Sequence, residues 1–160
     1  MSEFRIEKRR AETELTLATG ATVRGCFFLA GSRATRTGPE RVFDLLNAEK
    51  GFFPFERHGG TSAQTVLYNR SQLVLVALLE ETVEALVETA YDVAKTQEIH
   101  MVLTTGRTVV GRVRVYRPVG HDRLSDYARA PEAFRYVETS GATLIVNTEH
   151  IVELRETTHA

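Results

Sequence analysis

One stretch of this chain is written twice, and that repetition constrains the fold more than any other feature. Leu17-Ala18-Thr19-Gly20-Ala21-Thr22-Val23-Arg24-Gly25 returns as Leu103-Thr104-Thr105-Gly106-Arg107-Thr108-Val109-Val110-Gly111, with six of nine positions identical. Both copies read Leu-x-x-Gly-x-x-x-x-Gly: an apolar strand, a glycine turn, then a second strand with a glycine inside it. Gly20 and Gly106 suit a positive-φ turn, while Gly25 and Gly111 mark a bulge or sharp bend in the second strand. Two strands bent in this way open a small barrel. Each half would hold about 70 to 80 residues, near the low end for a self-sufficient core, so the halves are expected to lean on each other or on a partner chain.

The repeat continues beyond this stretch. Thr13, Leu15 and Leu17 alternate with Glu12, Glu14 and Thr16, and Ile99, Met101 and Leu103 match them in the second copy, which predicts half-buried strands. A second block pairs the run from Arg41 to Ala48 with the run from Arg123 to Ala130. In each, an arginine stands three residues before an aspartate, predicting short helices that carry the ion pairs Arg41–Asp44 and Arg123–Asp126. Strands follow at Phe52–Glu56 and Phe134–Glu138; Pro54 cannot donate a ladder hydrogen bond and should sit on an edge or at a bulge. The third block is a hairpin in each copy, with Asn69 and Asn147 closing its first strand, where an asparagine can bond the turn backbone and take left-handed φ. Between the copies, Val83, Leu86, Val87, Ala90, Tyr91 and Ala94 recur at helical spacing opposite Glu80, Glu84 and Glu88, predicting an amphipathic connecting helix. The expected organisation is a first domain over 1–80, this helix over 81–95, and a second domain over 96–160.

Charge and chemistry narrow the functional classes. The net charge of −1 is shared evenly enough that neither half is a strong magnet for nucleic acid. Cys26 is the only cysteine, so no disulfide can form within the chain and no cluster of cysteines can hold zinc. The five histidines lack a paired ligand spacing, and neither a nucleophile elbow nor a phosphate-binding glycine run occurs, so no catalytic residue, metal or cofactor is expected. The beginning of the sequence lacks the apolar run of a signal peptide and no stretch is long enough to span a membrane, which points to a cytoplasmic protein. The one basic concentration, Arg107, Arg112, Arg114 and Arg117 with Tyr116, is a candidate binding face. It suits a nucleic acid or an acidic protein, or is an ordinary solvated sheet face.

The Leu-x-x-Gly-x-x-x-x-Gly pattern, followed by Leu67-Tyr68-Asn69-Arg70-Ser71-Gln72-Leu73-Val74 and by Ile145-Val146-Asn147-Thr148-Glu149-His150-Ile151-Val152, resembles the two halves of an Sm-like domain. The run from Gly111 through Arg123-Leu124-Ser125-Asp126 also resembles a group of uncharacterised bacterial proteins. The resemblance implies a mainly β fold of two tandem Sm-like small barrels, each with a short inserted helix. It also implies assembly through strand edges, with RNA contacts from two loops. Here the helix-bearing insertion replaces the first of those loops. The expected function is therefore a non-enzymatic interaction or assembly module, a homo-oligomer or the partner of another protein, with RNA binding as the alternative.

Overall fold

The computed structural model describes residues 8–30, 40–59, 62–79, 95–115 and 131–157, with the backbone alone at Lys8, Lys95, Arg114 and Val115. The first half contains β1 (Lys8–Leu17), β2 (Thr22–Ala30), α1 (Val42–Ala48), β3 (Phe52–Arg57), β4 (Gln64–Asn69) and β5 (Leu73–Leu78). The second contains β6 (Lys95–Leu103), β7 (Thr108–Val115), β8 (Phe134–Glu138), β9 (Thr143–Asn147) and β10 (Ile151–Glu156). All ten described strands join one open antiparallel sheet in the order β10-β6-β7-β8-β9-β5-β1-β2-β3-β4. Each half runs fifth-first-second-third-fourth, and the halves meet where β9 pairs with β5.

The repeated stretch makes the same hairpin twice. Gly20 and Gly106 take φ of 90° and 88°, a region where a Cβ would clash with the backbone. In both turns the same bonds recur: Gly20 N–H donates to Leu17 O at 2.9 Å and Gly106 N–H to Leu103 O at 2.8 Å. Gly25 and Gly111 have a different reason to be glycine. A Cβ at Gly25 would collide with the Glu56 carbonyl on β3, and one at Gly111 with the Glu138 carbonyl on β8. The second strand of each half can thus approach the third only where a side chain is missing.

Asn69 and Asn147 play matching parts at the ends of β4 and β9. Each accepts a backbone hydrogen bond through Oδ1, from Ser71 N and Glu149 N respectively, both at 3.0 Å. Each thereby caps a single 3-10 turn, over Arg70–Gln72 and Thr148–His150. The left-handed φ that an asparagine tolerates is not used here: their φ values are −80° and −79°. The physical reason is that a capping residue stays extended while its side chain reaches forward to the turn.

Helix α1 begins at Arg41, where Asp44 closes a fork: Arg41 Nε and Nη2 donate to its two carboxylate oxygens at 3.0 Å, and Arg41 N–H donates to Oδ2 at 2.9 Å. Pro54 lies in β3, an interior strand, but the β2 ladder ends at Phe55, so Pro54 is paired only to Leu67 of β4. The connecting helix expected over 81–95 and the helix over Arg123–Ala130 lie outside the described residues, except that Lys95 already belongs to β6. Among the described residues no helix is long and apolar enough to cross a membrane.

Among the described residues two apolar clusters form, and each borrows from the other half. Phe27 stacks on Phe53 at 5.3 Å and meets Phe55 edge-on at 5.2 Å within the first cluster, which also takes in Phe134 and Ile145 from the second half. The second cluster, around Ile99, Met101 and Val113, takes in Val74 and Leu75 from the first. The exchange answers the size problem, because neither half alone buries much surface.

The two glycine types separate in their expected response to substitution. Nothing lies within 4 Å of a Cβ at Gly20 or Gly106, so Gly20→Val and Gly106→Val should each lose at least about 1 kcal/mol from backbone strain alone. Gly25→Ala should lose more than Gly20→Ala, because β3 itself must move. Urea denaturation of the four variants checks the order; equal losses at Gly20 and Gly25 would contradict it.

Candidate functional site

The functional features of this molecule are its joint and its edges. At the joint, β5 and β9 pair through Leu75–Val146, Val76–Ile145, Ala77–Leu144 and Leu78–Thr143. β5 reads Leu73-Val74-Leu75-Val76-Ala77-Leu78, a run without alternation, as expected for a strand covered on both faces. Asn147, almost wholly buried, locks the end of the joint by donating Nδ2–H to Leu73 O at 2.9 Å and to Arg70 O at 3.2 Å. His150 reaches Ser71 O at 2.6 Å through Nε2. A carbonyl can only accept, so Nε2 carries the proton, and Nδ1 faces the Thr104 hydroxyl at 2.8 Å. From α1, Asn47 accepts from Phe134 N–H at 3.0 Å and donates to Phe134 O at 3.1 Å. Phe43 stacks on Tyr136 at 4.8 Å beside it.

A cleft of about 560 Å³ opens above the joint, lined among others by Asn47, Gly51, Arg70, Ser71, Glu132 and Glu149. Arg70 is buried and turned to structure: Nη1 donates to Phe52 O at 2.8 Å, Nη2 to Leu45 O at 3.0 Å, and the guanidinium lies 5.7 Å from the Phe53 ring centre. Burial pushes its pKa below the ordinary arginine value, partly countered by the Glu49 carboxylate. It ties the end of α1 to the start of β3.

The outer edges of the sheet are β4 and β10. In the repeat, β4 is the counterpart of β9 and β10 the counterpart of β5, so the two free edges are second copies of the two strands that make the joint. Their exposure shows the difference. Leu67 on β4 is 63% exposed where its counterpart Ile145 is 0%; Val152 on β10 is 66% exposed where Val74 is 0%. Phe52 is 61% exposed where Phe134 is 3%.

The remaining sequence candidates are dispersed. Arg107 and Arg112 are exposed, and the ladder sets Arg112 opposite Glu98 on one side and Glu138 on the other. Arg114 is described by its backbone, opposite Thr96, and Tyr116, Arg117, Arg123 and Asp126 lie outside the described residues. Sequence reading passed over the joint, although a signal for it was present. The unbroken apolar run of β5 contrasts with the alternating Ile151-Val152-Glu153-Leu154-Arg155-Glu156 of its counterpart. Comparison with family models, with curated proteins and with solved structures returned no match to this chain.

Asn147 and Asn69 are the test of the joint. Asn147→Ala takes the side-chain donor from Leu73 O, leaves Arg70 O with its Leu73 N–H donor, removes the cap on Glu149 N, and should lose about 2 kcal/mol. At low protein concentration Asn69→Ala should lose less, since only its cap on Ser71 goes. Urea denaturation of both variants at the same dilution checks the ranking; an equal loss would remove the special place given to Asn147.

Proposed function

We propose that this chain is a non-enzymatic assembly module made of two Sm-like units, which associates with further copies of itself head to tail, β4 of one copy pairing with β10 of the next. The observation that carries the reading is the repeat equivalence of the free edges to the strands of the internal joint. An unpaired strand edge is a template for another chain. A contact between two different surfaces of the same molecule either closes into a ring or runs on as a filament. If the joint is copied between chains, Leu154 falls opposite Leu67 and Glu153 opposite Tyr68, as Val76 and Leu75 fall opposite Ile145 and Val146. Phe52, Leu67 and Val152 would then be covered as Phe134, Ile145 and Val74 are. Glu153, Arg155 and Glu156 stand where the joint has Leu75, Ala77 and Leu78, so the contact buries less apolar surface and is reversible. The cytoplasm, the compartment read from the sequence, suits such a module.

Light scattering of the purified protein at tens of micromolar should give a dimer or larger species. Leu67→Glu and Val152→Glu, one on each edge, should each shift it to monomer without lowering the melting temperature of the fold. A parent that is monomeric throughout, or an oligomer indifferent to both variants, would count against head-to-tail pairing.

RNA binding is ranked behind assembly. Glu98 and Glu138 flank Arg112 and weaken its attraction for phosphate. Single-stranded RNA should bind no tighter than micromolar at physiological salt. Fluorescence anisotropy checks this: tighter binding that falls steeply with salt and is lost in the Arg112→Glu, Arg114→Glu double variant would promote the RNA reading.

A further inference from the structure

Outside the joint, three side chains from three different segments converge on the open face of the first half. Glu12 on β1 and Cys26 on β2 are direct ladder partners. His58 follows the end of β3 and is held by its N–H bond to Arg24 O at 2.9 Å. Cys26 Sγ lies 3.1 Å from Glu12 Oε1 and 3.4 Å from His58 Nε2, and His58 Nδ1 lies 3.8 Å from Glu12 Oε2. One donor atom from each of the three residues falls within 4.8 Å of the other two.

We propose that Glu12, Cys26 and His58 form a binding site for one thiophilic divalent cation of the zinc class. Zinc–sulfur bonds near 2.3 Å and zinc–nitrogen or zinc–oxygen bonds near 2.0 Å, at tetrahedral angles, set ligand atoms about 3.3 to 3.6 Å apart. The separations of Cys26 Sγ from Glu12 Oε1 and His58 Nε2, 3.1 and 3.4 Å, are close to that. A thiolate with an imidazole and a carboxylate selects zinc-like ions over magnesium or calcium, which take oxygen ligands. Cys26 is 2% exposed, whereas the Glu12 and His58 side chains are 41% and 40% exposed, so the cation enters from the solvent side and keeps a fourth position for water. Binding forms an Sγ–metal bond and releases the thiol proton to solvent. Arg10, paired with Glu56 at 3.3 Å, stands beside the site.

Two observations favour a cation over other uses of the trio. The fold does not require it: continuing the repeat, the second half has Glu98, Arg112 and Ser140 at these positions and builds the same strands. A nucleophilic role for the cysteine is disfavoured by its burial, which keeps Sγ from a substrate larger than an ion.

Cobalt(II) titrated into the metal-free full-length protein, with a reductant that contains no thiol, tests the site. The expected result is one ion per chain with a near-ultraviolet sulfur-to-cobalt charge-transfer band, displaced by zinc. Cys26→Ser should abolish that band, and His58→Ala, on an exposed residue that the core does not need, should weaken binding at least about 100-fold. His150→Ala should change neither. No charge-transfer band in the parent, or a band and an affinity that survive His58→Ala, would overturn the proposal. Circular dichroism of each variant confirms that it is folded, and if Cys26→Ser is not, the His58 variant decides.

Discussion

The structure depends on the backbone pairing of β5 with β9. Among the described strands it is the one place where the two halves become a single sheet, and it sets the composition of both cores. Phe134 and Ile145 pack with the first half, and Val74 and Leu75 with the second. Halves of this size bury too little surface to be comfortable alone. The joint supplies each with a wall it lacks, and the buried amide of Asn147 donates to Leu73 O at its end and adds a second donor to Arg70 O, which already accepts from Leu73 N–H. Asn47 bonds the Phe134 backbone from α1.

Duplication has preserved some positions and released others, and the division follows physical need. Backbone geometry is preserved: Gly20 with Gly106 in the turns, Gly25 with Gly111 at the close approach, Asn69 with Asn147 at the caps. Side chains on the outer face of the sheet have diverged. Cys26 stands opposite Glu12 where Arg112 stands opposite Glu98. In the 3-10 turns a buried side chain has diverged as well: Arg70, which anchors α1 and β3, has Thr148 as its counterpart, whose hydroxyl donates to Ala133 O. The outer face tolerates such change because the ladder hydrogen bonds do not depend on it. New chemistry in one half therefore leaves the fold of both intact.

Joining unlike edges within one chain also has a consequence for the outer rims. The first half contributes its fifth strand to the joint and keeps its fourth free; the second does the reverse. The molecule thus carries one edge of each kind, with Leu67 and Val152 as the apolar residues left uncovered. An arrangement that joined like edges would have left two identical rims and no polarity.

By itself the sequence determined what is local. The mainly β character follows from alternation over five to ten residues, the turns from glycines at positive φ, and the start of α1 from an arginine and an aspartate three apart. Each of these is decided by atoms within one turn or one strand. Tertiary structure alone decided which strand lies beside which, because a ladder partner can come from anywhere in the chain. Val76 finds Ile145, and Asn147 finds Leu73 across 74 residues. Glu12, Cys26 and His58, separated by 14 and 32 residues, share no spacing that a ligand motif would show. They meet because antiparallel register sets Glu12 against Cys26 and the end of β3 folds His58 over both.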